Sequence, residues 1–268
     1  MNLIDAAFAR LKEEGKTALI PFLTMGDPDV ATSIAIIQKL EEAGADMIEL
    51  GVPYSDPLAD GPVIQRASER ALINHISIRD CMDIAEQARE AGVKLPFILF
   101  TYFNPVLQLG LEKFMELVKR KGISGLIIPD LPIEEDEEVR GLAEAAGIHL
   151  IPLVAPTSKD RVIRISRKAR GFVYCVSSLG VTGVRAEFHS GIDDFLATVR
   201  EATDMPIAVG FGISSREQVE RFSKQCDGVV VGSAIVRKIE ETLPLLADEK
   251  NREAGLSQIR DFVAQLKV

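Results

Sequence analysis

A chain of 268 residues, 47% hydrophobic and 26% charged, can bury a large core but is short for two ordinary α/β domains, so a single domain over 1–268 is expected. The formal charge of -9, from 31 Lys+Arg against 40 Asp+Glu, disfavours nucleic acid and anionic membrane surfaces as partners. Any anionic ligand must then be held by local groups, such as backbone amides and helix N-termini.

Cys81, Cys175 and Cys226 are odd in number and widely spaced, and no pair forms a C-x-x-C. Neither a disulfide framework nor a zinc site is suggested, and reduced thiols fit a cytoplasmic protein. The first residues, Met1 to Asp5, lack the charged-then-apolar profile of a signal peptide, and no apolar run approaches the length of a membrane span. A soluble, unprocessed protein is expected.

In chain order, a helical pattern over 3–14 precedes the first strand and is expected to cover the floor of the fold. A unit then recurs: an amphipathic charged stretch, Gly, four to six apolar residues, then Gly, Pro or Asp, as in EEAGADMIELG, KRKGISGLIIPD and KQCDGVVVGS. Each unit reads as a helix capped at Gly and followed by a buried parallel strand. Strands are predicted over 18–23, 47–51, 96–101, 125–129, 149–154, 171–176, 207–210 and 228–232. Helices are predicted between them, among others over 32–42, 111–121, 134–146, 159–168, 192–202 and 216–223. A last helical stretch, 256–267, falls outside the repeat. Strict β–α alternation over eight units, in a chain close to the roughly 250 residues typical of such barrels, predicts an α/β fold of the (β/α)8 TIM barrel class with an extra N-terminal helix. Chemistry then belongs at the C-terminal ends of the strands and in the loops that follow them.

The second strand reads Met47-Ile48-Glu49-Leu50-Gly51, which places an ionisable carboxyl inside a strand that should be apolar on both faces. Burial raises a carboxyl pKa towards the range where it can both give and take protons. A structural ion pair with a distant Arg or Lys is the alternative. The following loop adds Asp56 and Asp60. Asp56 lies in a Ser-Asp-Pro turn, whereas Asp60, two residues before Pro62, fits either a catalytic carboxylate or the cap of the next helix.

Barrels often bind phosphate in the loops after strands 7 and 8. Here those loops read Gly210-Phe211-Gly212-Ile213-Ser214 and Gly232-Ser233-Ala234-Ile235-Val236. Glycines let backbone N–H groups approach an anion, and a helix starting at Ser233 would point its dipole at it. The loop after the sixth strand, 177–187, is long and punctuated by Gly180 and Gly183, as a lid would be.

His75, His149 and His189 are widely separated and suggest no metal site, and no Lys occupies a predicted strand or its C-terminal end, against a Schiff-base aldolase. Carboxylate acid–base chemistry on a phosphorylated substrate is what remains.

The stretch Glu49-Leu50-Gly51-Val52-Pro53-Tyr54-Ser55-Asp56-Pro57-Leu58-Ala59-Asp60-Gly61-Pro62 closely resembles the signature of the tryptophan synthase alpha chain family. The resemblance continues in Pro21-Phe22-Leu23-Thr24-Met25-Gly26-Asp27-Pro28, in Gly180-Val181-Thr182-Gly183 and in the two glycine loops above, and so covers essentially the whole chain. Tyr54, where many relatives carry Phe, departs from the pattern without touching the acidic positions.

The resemblance implies retro-aldol cleavage of indole-3-glycerol phosphate to indole and glyceraldehyde 3-phosphate. It makes Glu49 the general acid/base and Asp60 the residue that holds the indole N–H. It places Phe22, Tyr102, Tyr174 and Phe211 around the substrate, and Gly183, Gly212, Gly232 and Ser233 around its phosphate; Thr182, beside Gly183 in the long loop after the sixth strand, is expected to reach towards the phosphate or towards Asp60 on closure. It implies no cofactor on this chain, a pyridoxal phosphate-bearing beta chain as partner, and an alpha2-beta2 tetramer. A free-standing lyase with the same chemistry, an inactive regulatory barrel and another phosphate-binding barrel, such as a sugar-phosphate isomerase, are the competing readings.

Overall fold

The computed structural model describes residues 1–177 and 191–268. The apolar runs form β1 (Ala18–Thr24), β2 (Ile48–Gly51), β3 (Phe97–Phe100), β4 (Gly125–Ile127), β5 (His149–Leu150), β6 (Leu153–Val154), β7 (Val173–Val176), β8 (Ile207–Gly210) and β9 (Gly228–Val231). All pair in parallel, in the order β5-β4-β3-β2-β1-β9-β8-β7-β6.

The two outermost strands are consecutive in the chain, with only Ile151 and Pro152 between them. The Ile151 N–H donates to the Leu126 carbonyl at 2.8 Å, and the Tyr174 N–H donates to the Pro152 carbonyl at 3.0 Å. These two bonds carry the ladder across the gap and close the ring, so the fold is a (β/α)8 barrel. The fifth strand, expected as one run over 149–154, is broken in two. Pro152 has no N–H to give to a ladder, which accounts for the break.

Strands of this barrel are covered on both faces, and the side chains alternate between two cores. Leu19, Leu23, Ile48, Leu50, Val173 and Cys175 pack outward against the helices. Ala18, Ile20, Phe22, Met47, Ile98, Phe100, Phe172, Tyr174, Ala208 and Val230 fill the interior. Since successive strand residues point to opposite faces, Glu49, two after Met47, shares the interior face.

The helices are α1 (Leu3–Glu14), α2 (Val30–Glu42), α3 (Pro62–Ile73), α4 (Ile78–Glu90), α5 (Phe103–Leu109), α6 (Leu111–Arg120), α7 (Glu137–Ala146), α8 (Lys159–Arg167), α9 (Ile192–Ala202), α10 (Arg216–Ser223), α11 (Ser233–Leu246) and α12 (Arg252–Leu266). Among the described residues none is long and apolar enough to cross a membrane. Helix α1 does cover the barrel floor: Ile4, Ala7, Phe8 and Leu11 join the interior core, and Phe8 packs on Phe172 with ring centroids 5.5 Å apart. Asn2 fixes its start by accepting from the Ile4 N–H and donating to the Ser124 and Gly147 carbonyls. His149 pairs with Asp5 of this helix at 2.9 Å, a structural role.

Helix α7 begins at Glu137 rather than Glu134, because the preceding residues form a turn in which the Glu135 N–H donates to the Pro132 carbonyl. Helix α12 begins at Arg252, a turn earlier than its apolar pattern suggests, and packs on α2 and α11. The three cysteines are buried and free.

Two helices follow β2, and they have different positions. Helix α4 stands beside α2 in the outer ring, whereas α3 packs on β1 and α11 at the C-terminal end of the strands. Val63, Ile64 and Ala67 of α3 are buried in the interior core, so α3 roofs part of the barrel mouth.

Candidate active site

The mouth of the barrel holds a pocket of about 380 Å³, lined by Phe22, Glu49, Asp60, Ile64, Phe100, Tyr174, Phe211, Gly212, Val230, Gly232 and Ser233. Eight of the expected site residues thus meet on one wall system: Phe22, Glu49, Asp60, Tyr174, Phe211, Gly212, Gly232 and Ser233. A larger cleft of about 1180 Å³ opens between α7 and α8, and neither carboxyl lines it.

Glu49 sits opposite Phe22 in the β1–β2 register and opposite Ile98 in the β2–β3 register. It is 2% exposed, its Oε2 has no hydrogen-bond partner, and no described Arg or Lys pairs with it. The structural ion pair is therefore not what holds it. Burial, with a further contribution from the charge of Asp60, pushes its pKa up to about 8. Tyr174 lies across the interior, near enough for the charge of Glu49 to add to the burial that raises the pKa of its phenol.

Asp60 is 5% exposed and immediately precedes Gly61, which is the N-cap of α3. The N-cap position is Gly61, so Asp60 stands one residue outside the helix cap. Burial raises its pKa to about 6, against the opposing effect of a hydrogen bond from the Tyr102 hydroxyl. Near neutral pH these values leave Asp60 ionised and Glu49 protonated, one base and one acid in one pocket.

Tyr102 does not line the pocket; it stands behind Asp60. Its hydroxyl accepts from the Ala59 N–H at 3.0 Å while donating to Asp60, and its ring stacks on Tyr54 at 4.9 Å. Both ends of the segment that carries the carboxylate are thus tied down.

The apolar walls depend on small residues beside large ones. A Cβ at Gly51 would come within 2.4 Å of the Phe22 ring, and one at Gly210 within 2.3 Å of the Tyr174 hydroxyl. Phe22 meets Phe100 edge-on at 5.9 Å, and Tyr174 meets Phe211 edge-on at 6.0 Å. These four rings, Phe22, Phe100, Tyr174 and Phe211, line the pocket together with Glu49 and Asp60.

At the other end, Phe211 and Gly212 both have positive φ, 72° and 94°. An aromatic residue in that region is strained, and Ser177 helps to hold it by donating its hydroxyl to the Phe211 carbonyl. Helix α11 starts at Ser233 as expected, with Gly232 as N-cap, no side-chain cap and no acidic residue in its first turn. Gly232 and Ser233 line the pocket, so the positive end of this helix opens on it, where an anion would be favoured.

Thr182 and Gly183, with the rest of the expected lid after Ser177, lie outside the described residues. Ile64, Phe100 and Val230 join the pocket without having been singled out by the sequence. Phe100 and Val230 follow from strand alternation once Phe22 and Glu49 are known to face inward; Ile64 depends on where α3 packs, which no local pattern records.

Comparison with known proteins identifies the family of the chain. The family described as tryptophan synthase alpha chain matches residues 8–267. A tryptophan synthase alpha chain from a Geobacillus species is 51% identical over 251 residues, covering 94% of this chain and 95% of that protein. One from Caldanaerobacter subterraneus is 49% identical over 267 residues, covering 100% and 99%. Among solved structures, a Mycobacterium tuberculosis tryptophan synthase chain superposes with a TM-score of 0.87 at 35% identity, covering 98% of this chain and 96% of that one. A Legionella pneumophila tryptophan synthase alpha subunit gives 0.85 at 34%, covering 98% of each. On sequence and fold, the chain belongs to the tryptophan synthase alpha chain family.

Proposed function

We propose that this protein is a carbon–carbon lyase that cleaves indole-3-glycerol phosphate to indole and glyceraldehyde 3-phosphate. The observation that carries the proposal is the placement of Glu49 and Asp60 on the wall of one pocket, with aromatic sides and an open helix N-terminus at its far end. A flat aromatic ring fits between the aromatic walls, and the phosphate fits at Gly212, Gly232 and Ser233.

Protonated Glu49 gives its proton to indole C3, and the ring becomes an iminium-like electron sink. Asp60, as carboxylate, accepts the ring N–H and stabilises the positive charge that develops there. The bond between C3 and the glycerol carbon breaks, its electron pair returns to the ring, and the adjacent hydroxyl becomes the aldehyde. Glu49, now a carboxylate, takes the hydroxyl proton and is restored. The indole nitrogen supplies the electron sink, so the cleavage calls for neither a lysine nor a cofactor on this chain.

The family points to a pyridoxal phosphate-bearing beta chain as the partner that consumes indole, in an alpha2-beta2 tetramer. The test is to mix the purified protein with indole-3-glycerol phosphate and measure both products. Indole and glyceraldehyde 3-phosphate should appear one to one, slowly for the isolated chain and faster with the beta chain. Full activity alone, with no response to the beta chain, would favour a free-standing lyase. Absence of indole under both conditions would reject the function.

A further inference from the structure

Helix α3 carries Asp60 just ahead of its first turn and Ile64 on the pocket wall, yet it lies outside the ring of helices that brace one another around the barrel. Apolar packing holds it down through Val63, Ile64, Ala67 and Ala71, and such packing is non-directional. Something else must fix where along the mouth this helix stops. The structure contains a candidate in the ion pairs on its other face.

Arg66 and Arg70 are one helical turn apart and share that face. Arg70 grips Asp27 with two parallel bonds, Nε to Oδ1 at 2.8 Å and Nη2 to Oδ2 at 2.9 Å. Its third nitrogen, Nη1, donates to Glu240 Oε1 at 2.8 Å. Arg66 adds two more bonds to Glu240, at 2.8 and 2.7 Å. Asp27 is 2% exposed and sits in the loop that leaves β1; Glu240 belongs to α11. One planar guanidinium therefore joins three elements, and each of them brings a residue to the pocket: Phe22 on β1, Asp60 and Ile64 at α3, Ser233 at α11.

The lever arms are short. Arg70 lies eight residues after Pro62 and Glu240 seven after Ser233, about 12 and 10 Å along their helices at 1.5 Å per residue. A helix that length moves as a body, so a shift at the joint is delivered to the pocket. Hydrogen-bonded Arg66 first, then Arg70, hold the Glu240 carboxyl down at about 2, so that arm of the joint stays charged, while burial raises the pKa of Asp27 against the opposing hydrogen bonds from Arg70. The geometry cannot be reproduced by lysine, which offers a single point charge in place of a three-way fork.

We infer that Arg70 is a positioning residue: by tying α3 to the β1 loop and to α11, it sets the spacing between the Asp60 end and the Ser233 end of the pocket. It touches no substrate. The inference rests on the functional reading above, in which one ligand must meet both ends at once. Two half-sites that are each intact but wrongly spaced bind the separate halves normally and lose the advantage of binding them linked.

The experiment uses the full chain and three probes: indole, inorganic phosphate and 3-(indol-3-yl)propyl phosphate, which joins an indole to a phosphate. Dissociation constants are measured for wild type, Arg70→Lys and Glu240→Gln, with turnover and thermal midpoint alongside. The second variant leaves the Asp27–Arg70 pair intact and orphans no deeply buried charge, so it stays informative if the first folds poorly. For both variants the expected result is near-normal affinity for indole and for phosphate, and about tenfold weaker binding of the linked probe. kcat should fall by at least as much. Equal losses for all three probes would mean a merely structural role, and an unchanged linked probe in both variants would overturn the inference alone. A wild type that fails to bind the linked probe would overturn the functional reading and this inference with it.

Discussion

Asp60 and Glu49 face one pocket, and the negative charge of the first helps to keep the proton on the second. Burial does most of the work on both, but it does more on Glu49, which is sealed in the interior, than on Asp60, which has the Tyr102 hydroxyl for company. The result is an acid and a base of nearly the same chemistry, sorted by environment.

Glu49→Gln keeps the shape of the side chain and removes the proton it is proposed to shuttle. Turnover should fall by about 10²–10⁴, on the order of 3–5 kcal/mol of transition-state stabilisation, with ligand binding largely kept. Stability should respond in the opposite sense as pH rises. The folded-state pKa of about 8 lies above the ordinary value of 4.5, so the favourable contribution of Glu49 is complete below pH 4.5 and is lost as pH climbs through 8. Between pH 5 and 9 the unfolding free energy of the variant should therefore gain on wild type by roughly a few kcal/mol. Denaturant titrations at the two pH values measure it, and a pH-independent gap would show that Glu49 is not buried as described.

Asp60→Asn should lower turnover more than binding, because an amide cannot oppose the charge on the ring. It should also lower the Glu49 pKa, since the charge that helps raise it is gone. A carboxyl-labelled NMR titration follows that shift. Thermal stability near neutral pH should be retained, because Gly61 and not Asp60 caps α3. A loss confined to stability would restore the capping role.

Tyr102→Phe keeps the ring stacked on Tyr54 and removes one hydroxyl. The Ala59 N–H loses its acceptor and Asp60 loses a donor, so the Asp60 pKa should rise above about 6. The acidic limb of the kcat/KM profile should move up with it. If that limb stays where it is in wild type, the hydroxyl is not what steadies the carboxylate.

Ser233→Asp places a negative charge at the start of α11, where the first turn has none. Binding of the phosphorylated substrate and of glyceraldehyde 3-phosphate should weaken, by about 1 kcal/mol or more from charge at the helix terminus alone. Indole, which is neutral, should bind as before. Competition by inorganic phosphate that is the same in both proteins would place the anion elsewhere.

Much of this was legible in the residues themselves. The run Met47-Ile48-Glu49-Leu50-Gly51 gives both the strand and the oddity within it, and alternation alone turns Glu49 inward beside Phe22. Glycine loops after β8 and β9 mark the proposed anion end because their position in the barrel is set by the repeat. What could not be read depends on distant parts of the chain. Pro152 breaks the fifth strand yet leaves the ring closed, because its carbonyl still accepts from Tyr174. Asp60 followed by Gly61 and Pro62 looks like a helix start from either residue, and only the observed cap separates them. Ile64 reaches the pocket because α3 crosses over β1, a placement that Asp27 and Glu240, far apart in sequence, help to fix. Tyr102 stands behind Asp60 rather than on the wall, a difference of one layer that no spacing rule encodes.

The division of labour between the two carboxyls is tested most directly by the pH dependence of kcat/KM for indole-3-glycerol phosphate. Asp60 must be ionised, so activity should rise with pH through about 6; Glu49 must hold its proton, so activity should fall again through about 8. The account predicts a bell with those two limbs in wild type, and loss of the alkaline limb from the residual activity of Glu49→Gln. A profile that is flat from pH 5 to 9, or an alkaline limb that survives in Glu49→Gln, would contradict it.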